Sequence, residues 1–211
     1  MKTNQDYKNA ALLALKGNWG PAVLLILAYF GINAVATAAA GAGESVGGSL
    51  FQLAVLICVL FPLVVGMCNA FRGLLHGERV NFVQGAFRVG FNNWKHNVGG
   101  MFLVGLYTFL WTLCLIVPGI IKGFAYSLTP FILAENPEIS ANEAIKLSEK
   151  MMDGKKMDLF ILHLSFIGWY LLGILTLCIG YLWLMPYVYT SLAAFYEDAK
   201  ADYESKQVAA A

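Results

Sequence analysis

From Val98 to Ala134 the chain runs for 37 residues with a single charge, Lys122. At 1.5 Å per residue, an unbroken helix of that length would reach about 55 Å. The hydrocarbon core of a bilayer is only about 30 Å thick. So apolar a run is unsuited to water, and unbroken it does not fit a membrane, so it must fold back. Pro118-Gly119 marks the expected turn, because proline removes a backbone donor and glycine permits a reversal. The run then divides into spans at about 98–117 and 119–135.

The same length rule picks out four more spans, at about 19–40, 50–71, 157–177 and 180–197. The last pair is divided at "LCIGY", near Gly180. The expected fold is therefore an all-α membrane protein: six transmembrane helices in three hairpins, at about 19–71, 98–135 and 157–197, in one polytopic domain across 1–211. Composition agrees, with 59% hydrophobic and 13% charged residues, against about 45–50% and about 25% for soluble domains. A four-span form, with one hairpin re-entrant, is the alternative, since 119–135 is short.

Charge position gives an orientation. If the N-terminus is cytoplasmic, the inner segments hold 13 of the 14 lysines and arginines, and Lys122 is the remainder. That bias is the positive-inside pattern, and with an even number of spans it places both termini in the cytoplasm. The net charge of +1 is spread over loops, which argues against a nucleic-acid partner.

The inner segments carry short amphipathic helices. One is expected at Asp6–Lys16, and two more on the inner surface at about 80–90 and 140–152. Asn81 with Gln84, and Ser140 with Glu143, have the spacing of capping boxes. Each hairpin has a proline in its second half, at Pro62, Pro118 and Pro186, which suggests one unit used three times.

Candidate binding residues are few. Lys122, Tyr126 and Thr129, at spacings of four and seven, share one helix face. Lys122 lies about one turn from the expected outer face, where it can snorkel to the headgroups or turn inward and bind an anion. His163 lies about 9 Å into its span by helical rise, and an ionisable group there is a functional candidate. Cys58, Cys68, Cys114 and Cys178 form no metal-ligand spacing with histidine. No nucleophile–base pair or metal cluster is visible, so no catalytic residue, metal or cofactor is expected, and the chain is not read as an enzyme. Gly31, Ala34 and Ala38 (with Ala42) form a small-residue ridge, either for internal packing or for a homo-oligomer.

The segment "LWTLCLIVPGIIKGFAYSLTPFILAENPEISANEAIKLSEKMMDGKKMDLFILHLSFIGWYLLGILTLCIGYLWLMPY" resembles the bacterial membrane family called domain of unknown function 975. The plan of repeated hairpins is also similar to the membrane domain attached to some glycerophosphodiester phosphodiesterases. The resemblance implies a membrane fold in the bacterial cytoplasmic membrane and transfers no catalytic residue. Two function classes stay open. One is a module that binds or moves an amphipathic or anionic, lipid-like small molecule among membrane lipids. The other is a structural or regulatory protein that meets a protein partner through 140–152.

Overall fold

The computed structural model describes residues 2–41, 46–78 and 81–210. Ala42 of the small-residue ridge, and Arg79 and Val80 at the start of the second expected amphipathic helix, lie outside the described residues. The described residues are helical, without a strand. Five helical segments are long and apolar enough to cross a membrane: Trp19–Ala39, Val46–Leu75, Trp94–Cys114, Ile116–Glu135 and Lys156–Leu175.

Helix α1, Asn4–Leu15, opens with a capping box between Thr3 and Asp6 that the sequence reasoning missed. Its Tyr7, Ala11 and Leu15 are buried, so it packs into the molecule. Helix α2, Trp19–Ala39, pairs with a long rod made of α3, Val46–Val55, a π-helical turn at Leu56–Leu60, and α4, Phe61–Leu75. Helix α5, Phe82–Asn92, lies antiparallel against α4. Glycine makes that approach feasible. A Cβ at Gly66 would sit 1.9 Å from the Ala86 carbonyl oxygen, and one at Gly90 would sit 2.5 Å from that of Pro62. The expected box at Asn81 does not form. Asn81 takes a left-handed φ of 57°, and its side chain makes no capping bond. From that conformation its oxygen does not address the first-turn N–H groups.

Helix α6, Trp94–Cys114, reverses into α7, Ile116–Tyr126, at Leu115, where φ is −159° and ψ 137°. The turn therefore falls before Pro118, which sits in the first turn of α7. There its missing N–H has no helical partner to lose. A break at Ser127–Leu128 leads into α8, Thr129–Glu135. Helix α9, Ala141–Met151, begins with the expected Ser140–Glu143 capping box. The box holds the Glu143 carboxyl below the usual carboxylate range, chiefly through the Ser140 hydroxyl. The third hairpin comprises α10, Lys156–Leu164, α11, Ile167–Leu175, and α12, Tyr181–Ala210. The sixth expected span, 180–197, opens α12, which is not among the five apolar segments. This helix continues past Glu197 and Asp198 into a charged stretch.

The core lies where α4, α8 and α12 meet. Each carries a leucine two residues before a proline: Leu60-Phe61-Pro62 and Leu128-Thr129-Pro130 at the starts of α4 and α8, and Leu184-Met185-Pro186 inside α12. Leu-x-Pro thus recurs at Pro62, Pro130 and Pro186, and Pro118, which follows Ile116-Val117, does not share it. Leu60, Leu128 and Leu184 are all buried. Phe131 of α8 stacks on Tyr196 of α12 at 5.1 Å between ring centroids. The outer sides of α2, α6, α7 and α11 remain exposed and apolar.

Candidate functional site

The four expected site residues do not converge. Lys122 and Tyr126 share a face of α7, and the Lys122 ammonium lies 5.9 Å from the Tyr126 ring centroid and 5.2 Å from that of Trp111. Thr129 is separated from them because α7 ends at Tyr126, so the helical register does not carry through to α8. Its hydroxyl is fully buried and has no hydrogen-bond partner among the described residues. His163 sits beside Phe124, with ring centroids 5.8 Å apart. Phe124 and Lys122, two positions apart, point to different sides of α7. His163 Nδ1 lies 2.9 Å from the Leu159 carbonyl within its own helix.

Lys122 has a partner that the sequence did not suggest. Its ammonium is ion-paired with Glu149 of α9. Helix α9 is tied to the second hairpin at three further points. The His96 ring bonds the Ile139 carbonyl just before the helix. Tyr107 donates to Asn142 at 3.1 Å, and the Ser148 hydroxyl donates to the Ala125 carbonyl at 2.7 Å. The opposite side of α9 exposes Glu143, Lys146 and Lys150. By sequence, Lys122 belongs near the outer face and 140–152 on the inner surface. Because the two are in contact, those expectations cannot both hold.

Two polar clusters hold the charged end together. Arg72 donates to Glu197 and, at 3.0 Å, to Glu135. Lys200 and the Tyr196 hydroxyl also bind Glu135, and His76 lies 3.0 Å from Glu197. The side chains of Arg72 and Glu135 are each only 20% exposed. This junction ties α4 to α8 and α12. Nearby, Lys155, 5% exposed, faces Asp198 at 3.7 Å and Asp202 at 3.4 Å. Tyr7 donates to the same Asp198 at 2.9 Å, which brings α1 onto α12. Glu135 and Glu197 lie 63 and 125 residues beyond Arg72, so no local spacing in the sequence connects them to it.

A different feature has the form of a binding site. An apolar groove of about 430 Å³ lies between α1, α11 and α12, lined by Leu12, Trp19, Trp169, Gly173, Trp183 and Tyr187. One turn before Leu12, Lys8 donates to the Ser165 carbonyl at 3.0 Å and lies 4.4 Å from the Phe166 ring centroid. Phe166 packs edge-on against Tyr187 of the groove. Partial burial pulls the Lys8 ammonium below the ordinary lysine value. Among the described residues, no carboxylate lies within 4 Å of it. The three tryptophans are legible in sequence as interface anchors, but their convergence is not. Among the described residues, no three His, Cys, Asp or Glu side chains assemble into a metal-ligand set.

A family model described as "Protein of unknown function (DUF975)" matches residues 89–202, more than half of the chain. The matched region takes in the second and third hairpins, with Glu135 and Glu197 of the ionic junction. It stops short of Lys8 and of the first hairpin. No curated protein and no solved structure matches the chain.

Proposed function

We propose, from the premise that the chain belongs to the DUF975 family, that it is an integral protein of the bacterial cytoplasmic membrane that binds an anionic phospholipid. An acyl chain occupies the groove between α1, α11 and α12, and the lipid phosphate meets Lys8. The observation that carries this is the three-tryptophan groove beside a half-buried lysine without a carboxylate partner among the described residues. The groove volume falls in the range of about 300–1,000 Å³ usual for small-molecule sites. Tryptophan favours the boundary between acyl chains and headgroups, where a lipid would pass from its apolar to its charged part. An anion at Lys8 would supply the partner that the fold withholds. The basic-residue bias supports cytoplasmic termini.

Native mass spectrometry of the detergent-purified chain, titrated with phosphatidylglycerol and phosphatidylcholine, tests this. Lys8→Met keeps the apolar stem and removes the charge. It should weaken retention of phosphatidylglycerol by about tenfold, as expected for one lost charge-assisted hydrogen bond, and leave phosphatidylcholine unchanged. Leu172 of α11 also lines the groove, and Leu172→Trp, which crowds it, should weaken both lipids. Unchanged phosphatidylglycerol binding in both variants overturns the proposal.

A further inference from the structure

We propose that only the first hairpin crosses the bilayer. The second and third enter and leave through the face that carries the termini, so their apolar sides meet the acyl chains of a single leaflet. This rests on observations separate from Lys8 and lipid occupancy of the groove and extends to membrane architecture.

The third hairpin is too shallow to match the first. Its tip residues Leu177, Cys178 and Ile179 line one cavity together with Phe30. Phe30 is the twelfth of the 21 residues of α2, about 16 Å from Trp19 by helical rise. The first turns of α12 agree, since Leu182 and Met185 pack against the cluster of Leu25 and Ile26. If α2 spans the bilayer, the third tip stops near its middle.

The chemistry of that tip suits hydrocarbon. Leu175 is 78% exposed and Leu177 86% exposed to the surroundings. Every backbone N–H from Thr176 to Leu184 donates to an acceptor within the tip or its flanking helices. The Cys178 N–H reaches the Gly173 carbonyl and the Leu177 N–H that of Ile174, which is the Schellman pattern of a helix end. Backbone donors must be satisfied internally where no water is available. Leu177 and Cys178 adopt φ of 51° and 67°, the left-handed region in which a water-exposed turn would use Gly or Asn. Apolar side chains held there despite the strain indicate an apolar surrounding.

The second hairpin reaches the same conclusion from another direction. Helix α9 covers it from His96 to Lys122. Lys146 and Lys150 on the open side of α9 need water or headgroups. A hairpin lined from its base to Tyr107 and Lys122 by a charged helix cannot stand upright in hydrocarbon. It lies at the interface instead, with α9 on its watery side. Phe102, Leu106, Phe109 and Leu113 form an exposed stripe on α6, and Ile116 and Ile120 continue it on α7. That stripe faces the acyl chains.

The native cysteines Cys114 and Cys178 stand exposed at the two tips and serve as probes. The full chain is placed in phosphatidylethanolamine–phosphatidylglycerol vesicles with Cys58→Ala, Cys68→Ala and either Cys114→Ala or Cys178→Ala, leaving one probe at a time. Ala39→Cys, with the native cysteines replaced, marks the far end of the first hairpin. A nitroxide at Cys178 should collide with oxygen far more than with a water-soluble nickel chelate, and one at Ala39→Cys should show the reverse. In vesicles whose orientation is read from protease cleavage of a terminal tag, an impermeant maleimide should reach Ala39→Cys from the face away from the termini and fail to reach Cys114. Chelate access at Cys178 equal to that at Ala39→Cys, or labelling of Cys114 from the far face, overturns the inference. If the cysteine replacements prevent folding, peptide mapping of maleimide-labelled wild-type chain still reads Cys114 and Cys178 separately, because they lie 64 residues apart in sequence, and labelling of Cys114 from the far face again overturns the inference.

Discussion

The first and third hairpins are both pairs of apolar helices, yet they close differently. Helix α2 ends at Gly41, whose φ of 66° is free of side-chain strain. Helix α11 ends at Leu177 and Cys178 in nearly the same backbone conformation. The left-handed conformation disfavours an ordinary L-residue by about 1–2 kcal/mol. Removing a leucine side chain from water returns about 1.5–3 kcal/mol. In water the third tip would carry the strain with no return. In hydrocarbon the two terms roughly cancel. The lesson is that equal length does not mean equal depth, and that turn chemistry reports the surroundings of a tip better than helix length does.

Three tests, using five substitutions, probe this contrast in decreasing order of expected effect. Gly66→Ala forces a Cβ against the backbone oxygen of Ala86, where no flexible side chain can yield. It should lower stability by about 3 kcal/mol, seen as a lower thermal midpoint in detergent. Gly31→Ala, with nothing within 4 Å of its added Cβ, should leave the midpoint unchanged or slightly raised. A matching loss at both glycines would erase the distinction between the locked lower half of the first hairpin and its open upper half. Leu177→Asn relieves left-handed strain but takes an amide into the tip. In bilayers it should lower stability by about 2 kcal/mol, the balance of strain relieved against lost apolar burial and amide desolvation. Gly41→Asn should be close to neutral. Steric-trap or force-spectroscopy measurements in bilayers would give the sign, and a stabilising Leu177→Asn would return the third tip to water. Lys122→Met removes a partly exposed ion pair, worth up to about 1 kcal/mol. Hydrogen exchange across 141–151 should quicken by up to about fivefold, while α2 stays unchanged.

Local signals in the sequence were reliable where they depended on neighbours. The Ser140–Glu143 box forms because both groups lie within one helical turn. Helix α2 begins and ends within a residue of its expected bounds. Pro118 misled because proline is equally at home just inside a helix and at a break. Asn81 misled because asparagine tolerates the left-handed conformation as well as it caps. The prolines expected to mark three like hairpins were Pro62, Pro118 and Pro186, whereas the Leu-x-Pro spacing is shared by Pro62, Pro130 and Pro186. The candidate site was the least legible. Glu149 lies 27 residues beyond Lys122, and only the packing of α9 along the second hairpin brings them together. Hydropathy measures how long a segment is and carries no information about its tilt.

The Arg72 junction also sets a timetable. Arg72 precedes Glu135 by 63 residues and Glu197 by 125. At about 5–20 residues per second of synthesis, the last partner emerges about 6–25 s after the arginine. Throughout that interval Arg72 has no local acid in α4 to meet it. The junction therefore closes only once the final helix has been made. A chain that stops short of Glu197 has Glu135 alone against Arg72 and no carboxylate at His76, so its base is held by fewer ionic contacts than that of the complete molecule.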